Sequence, residues 1–275
     1  MTRRIALLTH ESRPELRDTA EAVALKFEEA GIEPVWANAP VDLDGVELIL
    51  VIGGDGTILR AAELAREAGV PILGINYGHV GFLAEVEPSS LPEVVRAVIN
   101  RNWTVDTRMT IDVITEHKGI TKTGWALNEV SIEKGPSSRM IEVDVGVDGR
   151  GLSSFKTDTV LFSTPTGSTA YNFSGGGPIV WPDVEALIFT PIAAHALFAR
   201  PLVVGPASTL EVQMRSDDAT IWCDGRRTML APEGSTITAV KGRLPIKLAR
   251  LNDSPFSGRL VAKFHLPVEG WRTRR

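Results

Sequence analysis

Leu48-Ile49-Leu50-Val51-Ile52 runs without a break into Gly53-Gly54-Asp55-Gly56-Thr57. A short apolar, β-branched run closed by glycines predicts a buried parallel strand ending in a tight loop. The following Ile58-Leu59-Arg60-Ala61-Ala62-Glu63-Leu64 has helical spacing, so the loop opens onto a helix N-terminus. Glycines let backbone N–H groups approach an anion, and a first helical turn adds unsatisfied donors at the positive end of the dipole. An acidic residue inside such a cradle repels phosphate unless it does chemistry or holds a metal. The plain alternative is that Asp55-Gly56 makes a turn with positive φ.

The loop is not a Walker A motif, because no Gly-Lys-Ser/Thr follows it. It is not the dinucleotide fingerprint either, since Ile58 and Leu59 stand where the later glycine is needed. Working outward, the first hundred residues alternate strand and helix. Ile5–Leu8 reads as the first strand, and Ser12 with Glu15 has capping-box spacing. Leu16, Ala20, Val23, Ala24 and Phe27 form a helical apolar stripe that Gly31 ends, and a second helix closes at Gly69. Pro71–Asn76 is another buried strand, and Ser90 with Glu93 repeats the capping-box spacing. The pattern is that of an open, mostly parallel α/β sheet, whose ligands sit at the carboxyl ends of strands.

Near residue 104 the period changes from 3.6 to 2. Met109, Ile111 and Val113 alternate with polar residues, as do Ile141, Val143, Val145 and Val147 before a hairpin at Asp148-Gly149. Leu210, Val212, Met214, Ile221, Ile237 and Ala239 continue in short strands. Residues 1–103 are therefore expected as an α/β domain and 104–250 as a β-rich one. The second domain holds an irregular glycine-rich insert from Asp158 to about Pro201. After Leu251 the alternation fades, and Arg259–Phe264 reads as a short helix.

Composition narrows the function classes. The chain has 275 residues, 43% of them hydrophobic and 23% charged, as in ordinary globular proteins. A formal net charge of −5 argues against a broad nucleic-acid surface, so a polyanion must be held locally. One cysteine, Cys223, allows no intrachain disulfide and fits a reducing, cytoplasmic setting. The Arg3–Leu8 start is too short for a signal-peptide core, and no apolar run reaches membrane-spanning length.

A second constellation spans Asp158 to Tyr171 and continues through Asn172 and Ser174 to Gly175-Gly176-Gly177. Its hydroxyls and amides suit a sugar or an adenine edge, and Tyr171 can stack on a base. Any one of these residues is more often a turn hydroxyl or a core tyrosine; the whole string is not. In a third fragment, Asn128-Glu129, strand alternation puts one of the two side chains in solvent.

Gly53–Thr57, Asn128-Glu129 and Thr164-Pro165-Thr166-Gly167-Ser168-Thr169-Ala170-Tyr171, in this order and spacing, resemble the NAD kinase family. The resemblance extends to Asn76–Leu83 and Ala194–Leu202, and the ending Arg259–Trp271 is similar to the actinobacterial branch. Lipid kinases and phosphofructokinases carry a comparable first loop; the Thr164–Tyr171 string sets the NAD kinases apart. The resemblance implies a Rossmann-like N-terminal domain joined to a C-terminal β-sandwich, with residues 251–275 returning to the first domain. It implies transfer of the terminal phosphoryl group of Mg-ATP, or of polyphosphate, to the 2′-hydroxyl of the adenosine ribose of NAD.

By the same resemblance Asp55 is the base, and Gly53, Gly54, Gly56 and Thr57 face phosphate. Phe82, Asn128, Thr166, Thr169, Ala170 and Ser174 line the adenosine pocket, and Glu129 orients the ribose. Asp158 and Tyr171 reach NAD across a subunit boundary in a homodimer or homotetramer. Residues near Asp224-Gly225, which read locally as a hairpin turn, fall near the nicotinamide end. A free aspartate is a feeble base for an alcohol, but a loose phosphoryl-transfer transition state tolerates that. Mg2+ coordination is the rival role for Asp55. Arg60 is expected on a solvated helix face, and His79, His195 and Cys223, which lack metal-ligand spacing, as structural. A lipid or sugar kinase would share only the first loop, and a non-enzymatic NAD sensor would have no use for Asp55.

Overall fold

The computed structural model describes residues 2–10, 12–38, 41–78, 81–84, 86–135, 138–252 and 255–268, so His79 and the last part of the Arg259–Trp271 segment lie outside the described residues. The chain divides into two compact units, Met1–Thr107 with Ile246–Arg275, and Arg108–Pro245.

The first unit runs β1 (Arg3–Thr9), α1 (Pro14–Glu29), β2 (Ile32–Trp36), β3 (Val46–Gly53), α2 (Asp55–Ala68), β4 (Ile72–Asn76), α3 (Leu91–Ile99) and β5 (Thr104–Arg108). Its strands stand in the order β2, β1, β3, β4, then a strand Ile246–Arg250 from late in the chain, then β5. The β1–β2, β1–β3 and β3–β4 pairs are parallel, as is the late strand on β4. Leu48 to Ile52 are fully buried, as a strand covered on both faces requires. The α1 stripe Leu16, Ala20, Val23, Ala24 and Phe27 is buried against this sheet in one core cluster.

Neither capping box forms. Helix α1 starts at Pro14 with Arg13 as its N-cap and no side-chain cap, and Glu15 pairs with Arg13 instead. Ser90 caps α3 without a side-chain bond, because a 3₁₀ turn, Pro88–Ser90, leads straight into the helix and Glu93 turns to Arg96. Proline at the first helical positions, which lacks an N–H, removes one donor such a cap would satisfy.

The second unit comprises β6 (Ile111–His117), β7 (Ile120–Ala126), β8 (Glu129–Lys134), β9 (Ile141–Val147), β10 (Arg150–Thr157), β11 (Thr159–Ser163), α4 (Tyr171–Ser174), β12 (Leu187–Ile192), β13 (Leu202–Val204), β14 (Leu210–Ser216), β15 (Ala219–Cys223), β16 (Arg227–Ala231) and β17 (Thr236–Lys241). One sheet has the order β10-β9-β14-β17-β6-β7 and the other β13-β12-β11-β8-β15-β16. Inward residues of both, among them Val113, Val145, Val212, Ile132, Phe162 and Ile221, form a single apolar core, which makes the unit a β-sandwich. Asp148 and Gly149 join β9 to β10 with φ of 53° and 72°, the positive values a two-residue hairpin turn needs.

Two features depart from the sequence expectation. The Asp158–Pro201 insert is not wholly irregular, since β12 pairs along β11 from Thr159↔Ile192 to Ser163↔Ile188. The observed units also place Thr104–Thr107 and Ile246–Arg250 with the parallel sheet. The strand Ile246–Arg250, β18, is followed by α5 (Phe256–Phe264), matching the short helix expected near Arg259.

Candidate active site

In the first unit, Asp55 is the first residue of α2, with Gly54 as N-cap in extended geometry. Asp55 and Gly56 have no positive φ, so the turn alternative does not hold; the two residues lie within the first helical turn. A carboxylate there interacts favourably with the helix dipole. Its two oxygens accept three backbone N–H groups: Phe82 at 2.9 Å on Oδ2, and Leu83 at 3.2 Å and Ala84 at 3.3 Å on Oδ1. Gly81 makes this approach possible, since a Cβ built on it would lie 2.5 Å from Asp55 Cγ.

Around that carboxylate the glycines divide into two kinds. Gly54 and Gly56 face open space, with nothing within 4 Å of an added Cβ. Gly53 is packed, its added Cβ falling 2.5 Å from Thr57 Oγ1, and Thr57 is only 4% exposed. Thr57 therefore turns its hydroxyl inward. Phe82 is buried, its ring centroid 5.7 Å from that of Phe256 and 6.0 Å from that of Phe264 on α5. Arg259 Nη1 donates to the Phe82 carbonyl at 2.9 Å, so the returning helix props the loop that holds Asp55. Arg60 does not lie on a solvated face; its Nη2 donates to the Asn38 carbonyl at 2.5 Å.

In the second unit the Leu127-Asn128-Glu129 stretch is clamped from two sides. Asp224 Oδ2 accepts the Leu127 N–H at 3.0 Å and Oδ1 accepts the Asn128 N–H at 2.7 Å, while the Asp224 N–H donates to the Glu129 carbonyl at 2.9 Å. From the other side the Thr164 N–H donates to the Asn128 carbonyl at 2.9 Å, and Thr164 Oγ1 donates to the Leu127 carbonyl at 2.6 Å. Gly167 closes over the same peptide, with its added Cβ only 2.6 Å from Asn128 Cα. Arg227 Nη2 donates to Asp224 Oδ2 at 2.8 Å, and its guanidinium stacks 4.1 Å from the Trp125 ring centroid.

Asn128 and Glu129 are each 8% exposed, so the expectation that one points to solvent is corrected. Asn128 precedes β8, where the Asp224 turn and the Thr164 segment cover both neighbours. Burial, reinforced by the like charge of Asp224, pushes the Glu129 carboxyl up to about 8, against the pull of the Tyr171 backbone N–H. Burial also raises Asp224, opposed by the Leu127 and Asn128 N–H groups and by Arg227. Cys223 is buried and free, its thiol pushed up to about 11 by burial.

The hydroxyl-rich string is partly used by the fold itself. Ser163, Thr164 and Ser168 bond to backbone groups, and Asn172 is fixed by Thr190 Oγ1 at 2.7 Å. Thr166 is buried, Thr169 and Ala170 are half-buried, and Tyr171 and Ser174 are exposed. Tyr171 is thus not a core residue. Asp158 makes a 2.7 Å ion pair with Lys134, and His195 is exposed. Among the described residues no group of three or more His, Cys, Asp or Glu side chains is gathered.

Sequence reasoning missed the grip of Asp224 and Arg227 on the Asn128 peptide. Asp224-Gly225 does form a positive-φ hairpin turn, at 55° and 62°, and that reading hid the buried carboxylate. No local signal marks it, because its N–H partners lie 97 and 96 residues earlier.

Comparison with known proteins now bears on this geometry. Residues 7–103 match the ATP-NAD kinase N-terminal domain and residues 127–251 the ATP-NAD kinase C-terminal domain. NAD kinase 2 of Streptomyces coelicolor is 47% identical over 98% of this chain and 97% of its own. A yeast NADH kinase solved with NADH superposes with a TM-score of 0.87 at 21% identity, covering 98% of this chain and 89% of its own, and so shares the fold. An Archaeoglobus fulgidus NAD kinase solved with ATP gives 0.76 at 27% identity, covering 95% and 98%. With both domain families matched in order, the lipid-kinase, sugar-kinase and sensor alternatives fall away, and the chain belongs to the NAD kinase family, whose members phosphorylate NAD with ATP.

Proposed function

We propose that the Gly53–Thr57 turn receives the terminal phosphate of the nucleotide and that Asp55 accepts the hydrogen bond of the ribose 2′-hydroxyl. The observation that supports this is the carboxylate at the start of α2, fixed by the Phe82, Leu83 and Ala84 N–H groups beside two glycines open to approach. A carboxylate offers about four acceptor positions, and three are taken, leaving room for one hydroxyl. That hydroxyl would be oriented for in-line attack, its proton leaving late in a loose transition state. Backbone N–H groups at Gly54 and Gly56, with the positive end of α2, would counter the charge of the transferring phosphate. Phe82 would contribute through its N–H on Asp55, and Thr57, whose N–H donates to the Gly54 carbonyl at 2.9 Å, by holding the turn.

The family uses a divalent metal, and in this reading Mg2+ enters bound to the nucleotide phosphates, as part of the substrate. Asn128, Thr166, Thr169, Ala170 and Ser174 are assigned to adenosine, with Glu129 at the ribose. Asp158 and Tyr171 are assigned to NAD held by a second copy in a homo-oligomer, and Asp158 would exchange its Lys134 partner to do so. Location in the cytoplasm belongs to the same reading, resting on the single unpaired cysteine. No described helix is long and apolar enough to cross a membrane.

The direct test incubates the protein with NAD, Mg2+ and either ATP or polyphosphate, with an NADP-specific dehydrogenase reporting product. NADP from both donors supports a phosphate cradle that reads only the terminal phosphate; NADP from ATP alone limits the donor to the nucleotide. Specific activity measured on dilution tests the shared site. A fully active monomer removes Asp158 and Tyr171 from the partner's reaction.

A further inference from the structure

Glu129 is a buried acid with an unfilled oxygen. It is 8% exposed, and Oε2 has no hydrogen-bond partner among the described residues. The Tyr171 backbone N–H pulls the carboxyl only weakly the other way, against its burial and the charge of Asp224. The neighbouring Asp224, 6% exposed, is filled instead: Leu127, Asn128 and Arg227 donate to its two oxygens. Asp224 therefore carries the negative charge of the pair, with Arg227 as its counter-ion.

The surroundings of Glu129 favour a neutral carboxyl. From the 224 turn it faces Asp224, whose charge is paired with Arg227. Cys223 on β15 is a neutral thiol. From the 163–172 segment come hydroxyls and amides, with Tyr171 as the titratable side chain. An ionised carboxylate in this place would face like charge while leaving one oxygen dry.

We propose that Glu129 works as a neutral carboxylic acid and donates its Oε2 proton to a ribose oxygen of bound NAD. This deepens, and rests on, the assignment of Glu129 to the NAD ribose. In the acid form the unpartnered Oε2 carries the hydroxyl and needs an acceptor, which the ligand brings. A carboxylate would do the reverse and accept from ribose hydroxyls. Burial that holds the carboxyl near 8 keeps the donor through neutrality and loses it above.

The test is the KM for NAD at saturating Mg-ATP across about two pH units on either side of the Glu129 midpoint, in the full-length protein, Glu129→Gln and Glu129→Ala. The amide of glutamine keeps one acceptor and one donor and cannot ionise. The expected result is a wild-type KM that rises toward tenfold per pH unit above the midpoint. Glu129→Gln should hold KM within about threefold of the neutral wild-type value and stay flat with pH, while Glu129→Ala weakens NAD about tenfold or more at every pH. A wild-type KM that is flat or falls with rising pH overturns the proposal, as does a glutamine variant as weak as alanine. If Glu129→Ala binds NAD as well as wild type, the placement of Glu129 at NAD fails, and the proton assignment with it.

Discussion

Asp55 Oδ2 accepts the backbone N–H of Phe82 at 2.9 Å, tying the first turn of α2 to a loop 27 residues further on. Asp55 thus holds its own loop as well as any substrate. Asp55→Asn replaces one acceptor oxygen with a donor, which cannot receive the same set of N–H groups. The expected outcome is NAD binding kept within about threefold by calorimetry while kcat falls by about 100-fold or more. Near-wild-type turnover would remove Asp55 from the chemistry.

Gly81→Ala reaches the same carboxylate without touching its charge. The new methyl would sit 2.5 Å from Asp55 Cγ, inside any tolerable contact, so the loop must move off the carboxylate. A displacement on the order of 1 Å near reacting groups costs about 100-fold in rate. Steady-state assays should show kcat reduced by about that factor, with thermal unfolding changed far less than a core cavity would change it.

Asp224→Ala leaves the Leu127 and Asn128 N–H groups buried without acceptors and Arg227 without its carboxylate. The expected loss is about 2–4 kcal/mol in denaturant unfolding. NAD binding should weaken with it, because the Asn128 peptide loses one side of its clamp. Unchanged stability would mean that these N–H groups find other partners.

Glu129→Gln should stabilise the protein increasingly as pH rises. The folded carboxyl sits near 8 against about 4.5 for an unperturbed glutamate, so between those values the folded state holds a proton that the unfolded chain releases. Wild-type stability from this group is full below about 4.5, declines across that window and levels off above 8. The glutamine variant escapes the decline. Melting temperatures of the two proteins compared at acidic and alkaline pH give the difference directly, and curves that stay parallel across the window would contradict it.

The elements that were legible are those whose signal is local. Leu48–Ile52 is a continuous buried run, Ile141–Val147 alternates strictly, and Asp148-Gly149 has the backbone freedom its turn requires. Strands β2 and β12 escaped because each carries a proline, Pro34 and Pro191, where a run is normally unbroken. Ile246–Arg250, inside the expected β-rich domain 104–250, lies in the parallel sheet for a different reason. Its short sequence pairs as well with antiparallel as with parallel neighbours, and only its seat beside β4 decides.

By itself the sequence determined the two-part α/β and β-rich plan, the start of α2 after a buried strand, and the family, because periodicity and motif spacing are properties of nearby residues. Tertiary structure alone decided that Asp55 is filled by the Phe82–Ala84 N–H groups and that Asn128 and Glu129 are both buried. It also decided that Asp224 is a buried acceptor rather than a surface turn. Each of these rests on hydrogen bonds between backbone and side chain across tens of residues, and a backbone N–H leaves no mark in the identity of the residue that carries it.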